Sequence, residues 1–156
     1  MKVIFLDIDG VMVTGNHLID NPGHEDGFGH GFDRNAIHEL GIIVETTDAK
    51  IVISSAWRIM GGLPAMRALW KERELPGQVI DVTPNFGDRG DEIKTWLDTT
   101  GRERGVEQWV VVDDDIHDLG RVSDKLVVTS FRYGLTRDRT LEIIRILEER
   151  VGGLHE

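Results

Sequence analysis

Two aspartates one residue apart, Asp7 and Asp9, follow the apolar run Val3-Ile4-Phe5-Leu6 and are followed at once by Gly10. The apolar run reads as a buried strand, so the carboxylates emerge at its mouth. Burying an unpaired carboxylate is costly, and two together call for a compensating cation or a proton. Strand alternation points both side chains to one side, toward the crevice where the carboxyl ends of parallel strands bind ligands. Gly10 lets the backbone turn sharply and come close to whatever sits there. The competing reading is an ordinary strand-to-loop junction with solvated aspartates.

A second acidic group follows three valines: Asp113, Asp114, Asp115 and Asp118 fall within six residues. Two like charges about 4 Å apart repel by roughly 4 kcal/mol at an effective dielectric near 20. If this cluster faces Asp7 and Asp9, the repulsion calls for a divalent cation. The chain has no cysteine, so oxygen or imidazole must hold it, and oxygen ligands with room for water favour Mg²⁺. The alternative is an Asp-rich turn capping the next helix. Polar residues of other types end a second apolar run, in IVISSAWR, where Ser54 or Ser55 offers a hydroxyl and a backbone N–H to a phosphate oxygen. Cations come from Asp88-Arg89-Gly90-Asp91, in which Asp88 is a candidate N-cap. Arg89 at the first helical position has the planar fork for bidentate phosphate binding, and Lys94, one turn further on, is its rival. Trp57 and Arg58, just after the serines, are candidates to stack on and pair with a nucleotide, or alternatively Trp57 seals the core beneath the next loop.

The elements that must position these residues alternate in type. Residues 50–54, 78–82, 108–112 and 125–129 join the first segment as strands, and residues 33–47, 62–74, 89–98 and 136–151 carry helical spacing. In the last helix Leu141, Ile144, Leu147 and Val151 form one face, with Thr136 as N-cap and Gly152-Gly153 as stop. Alternating βαβ units predict a Rossmann-like parallel α/β sheet with helices on both faces. Residues 12–31, with five glycines, three histidines and one proline, read as a loop insertion directly after the Asp pair. His17, His24 and His30 lie in it and read as a solvated loop rather than a second metal site.

Length and composition bound the rest. A chain of 156 residues with 40% hydrophobic content is expected to form one domain. No apolar run is long enough to span a bilayer, and MKVIFLDIDG meets aspartate too early for a secretory leader, so the cytoplasm is the default expectation. A net charge of −10 argues against broad electrostatic binding to nucleic acid or anionic membrane. Arg132, Arg137, Arg139 and Arg145 could make a local basic strip, or a solvated helix face interleaved with Glu142, Glu148 and Glu149.

Taken in order, DxDGV, a strand-terminal serine, a helix-start cation and a strand-terminal Asp cluster resemble the haloacid dehalogenase (HAD) superfamily of phosphotransferases, from Met1 to about Thr129. More narrowly, IVISSAWR, Thr83-Pro84, RGDEI with the following WL, and VVVDDD resemble the HAD-like domain of multifunctional RNA-repair proteins. The resemblance implies that Asp7 is a nucleophile forming an aspartyl-phosphate, and that Asp9 is the general acid and then the base. It implies Mg²⁺ held by Asp7, the Asp9 main-chain carbonyl and Asp114, with Asp113 supporting through water. Ser54 would hydrogen-bond the phosphoryl group and Arg89 neutralise it, although the family's third motif is usually lysine. Substrate contacts are expected from Ser55, Arg58 and Lys94.

Specificity in this superfamily is often set by an inserted cap, but here residues 12–31 are too short and glycine-rich for an independent core, and residues 57–88 read as one helix and one strand of the main fold. An open site suits a nucleotide or another small phosphorylated metabolite, which is the favoured substrate, or a nucleic-acid end. A non-catalytic binding protein is the third reading, against which the intact Asp7–Asp9 pair speaks.

Overall fold

The computed structural model describes residues 1–150. Its centre is a five-stranded parallel sheet made of β1 (Lys2–Leu6), β4 (Lys50–Ile53), β5 (Val79–Val82), β6 (Gln108–Asp113) and β7 (Leu126–Val128). Across the sheet the strands run β5-β4-β1-β6-β7. The chain starts in the middle, builds outward to one edge, then returns to build the other. The direction reverses between β1 and β6, and there the strand ends leave a crevice outside their carboxyl termini.

Alternation along β1 sorts the core into two layers. Ile4 and Leu6 face α2 (Arg34–Thr47), α3 (Gly62–Glu72) and α6 (Arg137–Leu147), while Val3 and Phe5 face α4 (Arg89–Trp96) and the 3₁₀ turns at Gly120–Lys125. Val3, Ile4, Phe5 and Leu6 are all buried, which explains a strand that reads as a continuous apolar run. Each such side chain contributes about 1.5–3 kcal/mol relative to exposure. The sheet with helices on both faces is the expected α/β, Rossmann-like core, and no cap domain is evident among the described residues.

Three local features differ from the sequence expectation. Residues 12–31 are not structureless: Thr14 caps the short helix α1 (Gly15–Asp20) by accepting from His17 N at 3.0 Å. Behind it, β2 (Glu25–Asp26) and β3 (Gly29–His30) form a hairpin. Arg73 clamps this hairpin, donating to both Asp26 carboxylate oxygens at 2.8–2.9 Å and to the Gly29 and His30 carbonyls at 3.0 Å. That clamp pulls the Asp26 carboxyl down to about 2. The helix starting at Arg89 continues past 98, through a π turn at Leu97–Gly101 into α5 (Arg102–Arg104), and Gly105 with φ 72° ends it.

The face of α6 is also rotated from the expected one. Leu141 is exposed, and Thr140, Ile143, Ile146 and Leu147 are buried, because those four meet the sheet and α2. Thr136 does occupy the N-cap position, but its hydroxyl donates to Asp138 at 2.7 Å instead of capping. Val151, Gly152 and Gly153 lie outside the described residues.

Candidate active site

The sheet ladder runs one residue past β1, β4, β5 and β7, level with Asp113 at the end of β6, and this extension assembles the site. Asp7 N donates to Val112 O at 3.1 Å, Ser54 N to Leu6 O at 3.1 Å, Thr83 N to Ile53 O at 3.0 Å, and Thr129 N to Asp113 O at 3.0 Å. Thr83, Ser54, Asp7, Asp113 and Thr129 therefore stand in register along the carboxyl edge. Ser54 and Asp113 flank Asp7 on either side, as the expected grouping requires.

Asp7, Asp113 and Asp114 each present an oxygen within 4.8 Å of the others. Asp7 and Asp113 are buried and Asp114 half-buried. Gly10 makes the approach of Asp114 feasible: with φ 82°, a Cβ there would lie 2.1 Å from Asp114 Cγ. The Thr129 hydroxyl secures the same turn by donating to Gly10 O at 2.7 Å. Asp113 accepts from Asp115 N at 3.0 Å and from Arg89 Nη1 at 2.6 Å, and Arg89 lies 3.8 Å from Asp7.

Three ionised carboxylates and one guanidinium leave a formal charge of −2 in this pocket. A single divalent cation matches that charge, and an all-oxygen donor set suits Mg²⁺. Without it a proton must serve. Burial and then the neighbouring Asp113 push the Asp7 carboxyl up to about 8, against the pull of Arg89. Burial and Asp113 likewise raise Asp114. Burial opposes the charged form of Arg89, yet Asp113 and Asp7 hold it above its ordinary value.

Asp9 is exposed and is not one of the three grouped carboxylates; Trp57 Nε1 donates to both of its oxygens at 3.2 Å. Ser54 Oγ is fully buried without a hydrogen-bond partner. A buried hydroxyl left so costs about 1–3 kcal/mol, which an incoming acceptor would relieve. The other acidic residues after β6 separate by role. Asp115 accepts from His117 N at 2.9 Å, and the Asp118 carbonyl accepts from Gly90 N at 2.8 Å. A Cβ at Gly90 would meet that carbonyl at 2.6 Å, so glycine lets the start of α4 approach and bring Arg89 in. Asp88 N-caps α4 as expected, accepting from Asp91 N at 3.1 Å.

Arg58 departs from expectation. Nε donates to Thr83 O, Nη1 to the Ser54 and Ser55 carbonyls, and Nη2 to Pro84 O and Glu92 Oε1, all at 2.8–3.1 Å. All five N–H groups are thereby committed to protein acceptors, leaving none for a substrate. Arg58 is a brace that ties the loops after β4 and β5 to α4. Ser55 is buried and its Oγ accepts from Trp57 N at 3.2 Å, so it shapes the turn. Lys94 is half-buried and pairs with none of the site carboxylates, whereas Arg89 does so twice.

Two of the four arginines in the candidate basic strip pair with carboxylates. Arg137 pairs with Glu39 at 3.1 Å and Arg139 with Glu142 at 3.6 Å, while Arg132 lies over the Tyr133 ring. His17 and His24 meet at 2.9 Å, and His30 instead faces Glu25 at 3.7 Å.

Glu92 is the residue that sequence reasoning missed. It is buried, takes Arg58 on one oxygen, and accepts from Phe86 N and Gly87 N on the other at 2.8 and 3.0 Å. Nothing local distinguishes it from Asp91, which is half-buried and pairs with Arg121. Thr129 was likewise unmarked, since its partner Gly10 is 119 residues away.

With this geometry in hand, the chain matches the family model for the HAD domain in Swiss Army Knife RNA repair proteins over residues 3–140. No curated protein matches it. The match spans most of the chain, and the protein belongs to that HAD family.

Proposed function

We propose that this HAD-type hydrolase is a Mg²⁺-dependent phosphomonoesterase that works through an aspartyl-phosphate on Asp7, acting on a nucleotide or another small phosphorylated metabolite. The observation that carries the reading is the meeting of Asp7, Asp113 and Asp114 beside Arg89 and the unpartnered Ser54 hydroxyl. Asp7 and Asp114, supported by Asp113 and the Asp9 carbonyl, would hold the cation. When bound, it would neutralise charge on the phosphoryl oxygens and keep Asp7 ionised.

The protein groups divide the rest of the work. An Asp7 oxygen attacks phosphorus and the bond to the leaving oxygen breaks, while Asp9 gives that oxygen its proton. Asp9, now ionised, takes a proton from water, whose oxygen attacks phosphorus and releases Asp7 and inorganic phosphate. Trp57 Nε1 holds Asp9 in place between these steps. Ser54 donates its free O–H to a phosphoryl oxygen, and Arg89 offsets the charge that develops there. Arginine stands here where the family usually has lysine; its Nη1 donates to Asp113 at 2.6 Å and lies 3.8 Å from Asp7.

A second reading is favoured by the family match: the phosphomonoester is a nucleic-acid end. The net charge of −10 and the paired arginines of α6 weigh against tight binding of a long strand. Phosphate release from aryl phosphate, 5′- and 3′-nucleotides, sugar phosphates and a 3′-phosphorylated oligonucleotide tests both. Release that needs Mg²⁺, stops with chelator and is lost in Asp7→Asn is the expected result. Release that survives in Asp7→Asn would overturn the mechanism.

A further inference from the structure

Trp57, whose indole N–H is given to Asp9, also borders a cavity of about 450 Å³. Its walls are Gly27 and Phe28 of the hairpin, Trp57 itself, and Ala65 and Met66 of α3, with Met60 at the rim. None of these side chains is charged, and the one polar N–H, on Trp57, is already given to Asp9. The hairpin wall is held rigidly. Arg73 fastens it by four hydrogen bonds, and it lies so close to the indole that a Cβ at Gly29 would be 3.0 Å from the ring.

We infer that this cavity receives the aromatic base of a nucleotide whose phosphoryl group is at Asp7; the inference rests on the phosphomonoesterase reading above. The link is Trp57. Its N–H holds Asp9, the group that gives a proton to the leaving oxygen, so the leaving group departs on the side where the indole stands. From there it runs along the ring into the cavity. A polyhydroxylated group would lose water there without gaining a partner, at about 1–3 kcal/mol for each unpaired hydroxyl. A flat heteroaromatic ring loses little and gains stacking on Trp57 and Phe28 with adaptable contacts from Met60 and Met66. The other cavity at the site contrasts with it: about 250 Å³, lined by groups such as Asn85, Arg89, Asp115 and His117, it presents charge instead.

A free nucleotide and the terminal nucleotide of a strand carry the same ring, and the test separates them. Met60 is 80% exposed, so Met60→Asp places charge at the rim without disturbing the core. Phe28→Ala removes one wall, with its fold checked by melting. Mg²⁺-dependent phosphate release is measured for nucleoside monophosphates, a phosphorylated oligonucleotide and glycerol phosphate. Both variants are expected to lose about tenfold in kcat/KM on the ring-bearing esters, mainly through KM, and less than about twofold on glycerol phosphate. Equal losses on both kinds of ester, or no loss on either, would overturn the inference. A more than about tenfold preference for the oligonucleotide assigns the strand end, and the reverse assigns the free nucleotide.

Binding of the ring is read separately from turnover. The Trp57 indole N–H resonance, titrated with a nucleoside that carries no phosphate, is expected to shift in the natural protein and not in Met60→Asp. No shift in the natural protein would overturn the ring site even if esters are hydrolysed. A shift without metal-dependent release from any ester would retire the phosphatase reading and leave the ring site standing.

Discussion

Two arginines stand near the carboxyl edge of the same sheet and have opposite fates. Arg58 is buried, with every donor taken by a backbone carbonyl or by Glu92. Arg89 is about a quarter exposed and faces Asp113 and Asp7, the same groups a cation would engage. The first is spent on holding loops; the second sits where charge must be managed. Proximity to a site is therefore a poor guide to a role in it, and the number of uncommitted donors is a better one.

The largest expected effect breaks the site without touching the brace. Asp7→Asn should abolish phosphate release by several orders of magnitude. Its melting temperature in metal-free buffer should not fall, because burial already disfavours the ionised form of Asp7. A strong loss of stability would mean that Asp7 holds the fold.

The two arginines should then separate on two axes. Arg58→Met leaves Glu92 buried and unpaired, and denaturant unfolding should show a loss of about 3–5 kcal/mol. Arg89→Met removes the cation beside Asp113 and Asp7, but a proton on Asp7 offsets part of that loss, so the cost should be smaller, about 1–2 kcal/mol, while kcat/KM falls by roughly a hundredfold. Similar stability losses in both variants would erase the distinction.

The pH dependence sharpens the comparison further. Asp7 has its carboxyl raised from 3.8 to about 8, so its protonated form favours the metal-free fold. That contribution is full below 3.8 and is lost as pH rises through about 8. Mg²⁺ must displace this proton, so the rise in melting temperature on adding Mg²⁺ should grow between pH 6 and 9, about the range of that displacement. Asp7→Asn should flatten the trend, and a stabilisation by Mg²⁺ that is independent of pH in the natural protein would count against Asp7 as a ligand.

The smallest effect concerns Trp57. Trp57→Phe keeps a ring but removes the N–H to Asp9, and kcat should fall about threefold to tenfold on alkyl phosphates. Aryl phosphates, whose leaving oxygen needs less protonation, should respond less. An equal response would separate Trp57 from the acid step.

Much of this site was legible in the sequence because its parts sit at strand ends. Asp7, Ser54 and Asp113 each follow an apolar run, and parallel pairing in register sets them side by side. Arg89 was legible through its N-cap Asp88, which marks the first turn of a helix. What was hidden depends on contacts between distant segments. Glu92 looks like any acidic residue of a first turn, and its burial follows from Arg58, 34 residues earlier. The hairpin of residues 25–30 has no apolar period and is held by Arg73, 47 residues on from Asp26. The rotated face of α6 has a similar cause: Leu141 and Ile143 are equally apolar, and only the position of α2 and the sheet selects between them.

The most direct test of the central claim is to look for phosphate on Asp7. Asp9→Asn, which lacks the base for the second step, would be mixed with Mg²⁺ and a reactive aryl phosphate, quenched in acid and analysed by peptide mass spectrometry. A phosphoryl group is expected on the peptide containing Asp7, absent with chelator and absent when Asp7 is also Asn. Turnover by the natural enzyme with no phosphoryl group on Asp7 in the Asp9→Asn protein, or with the label on another residue, would contradict it.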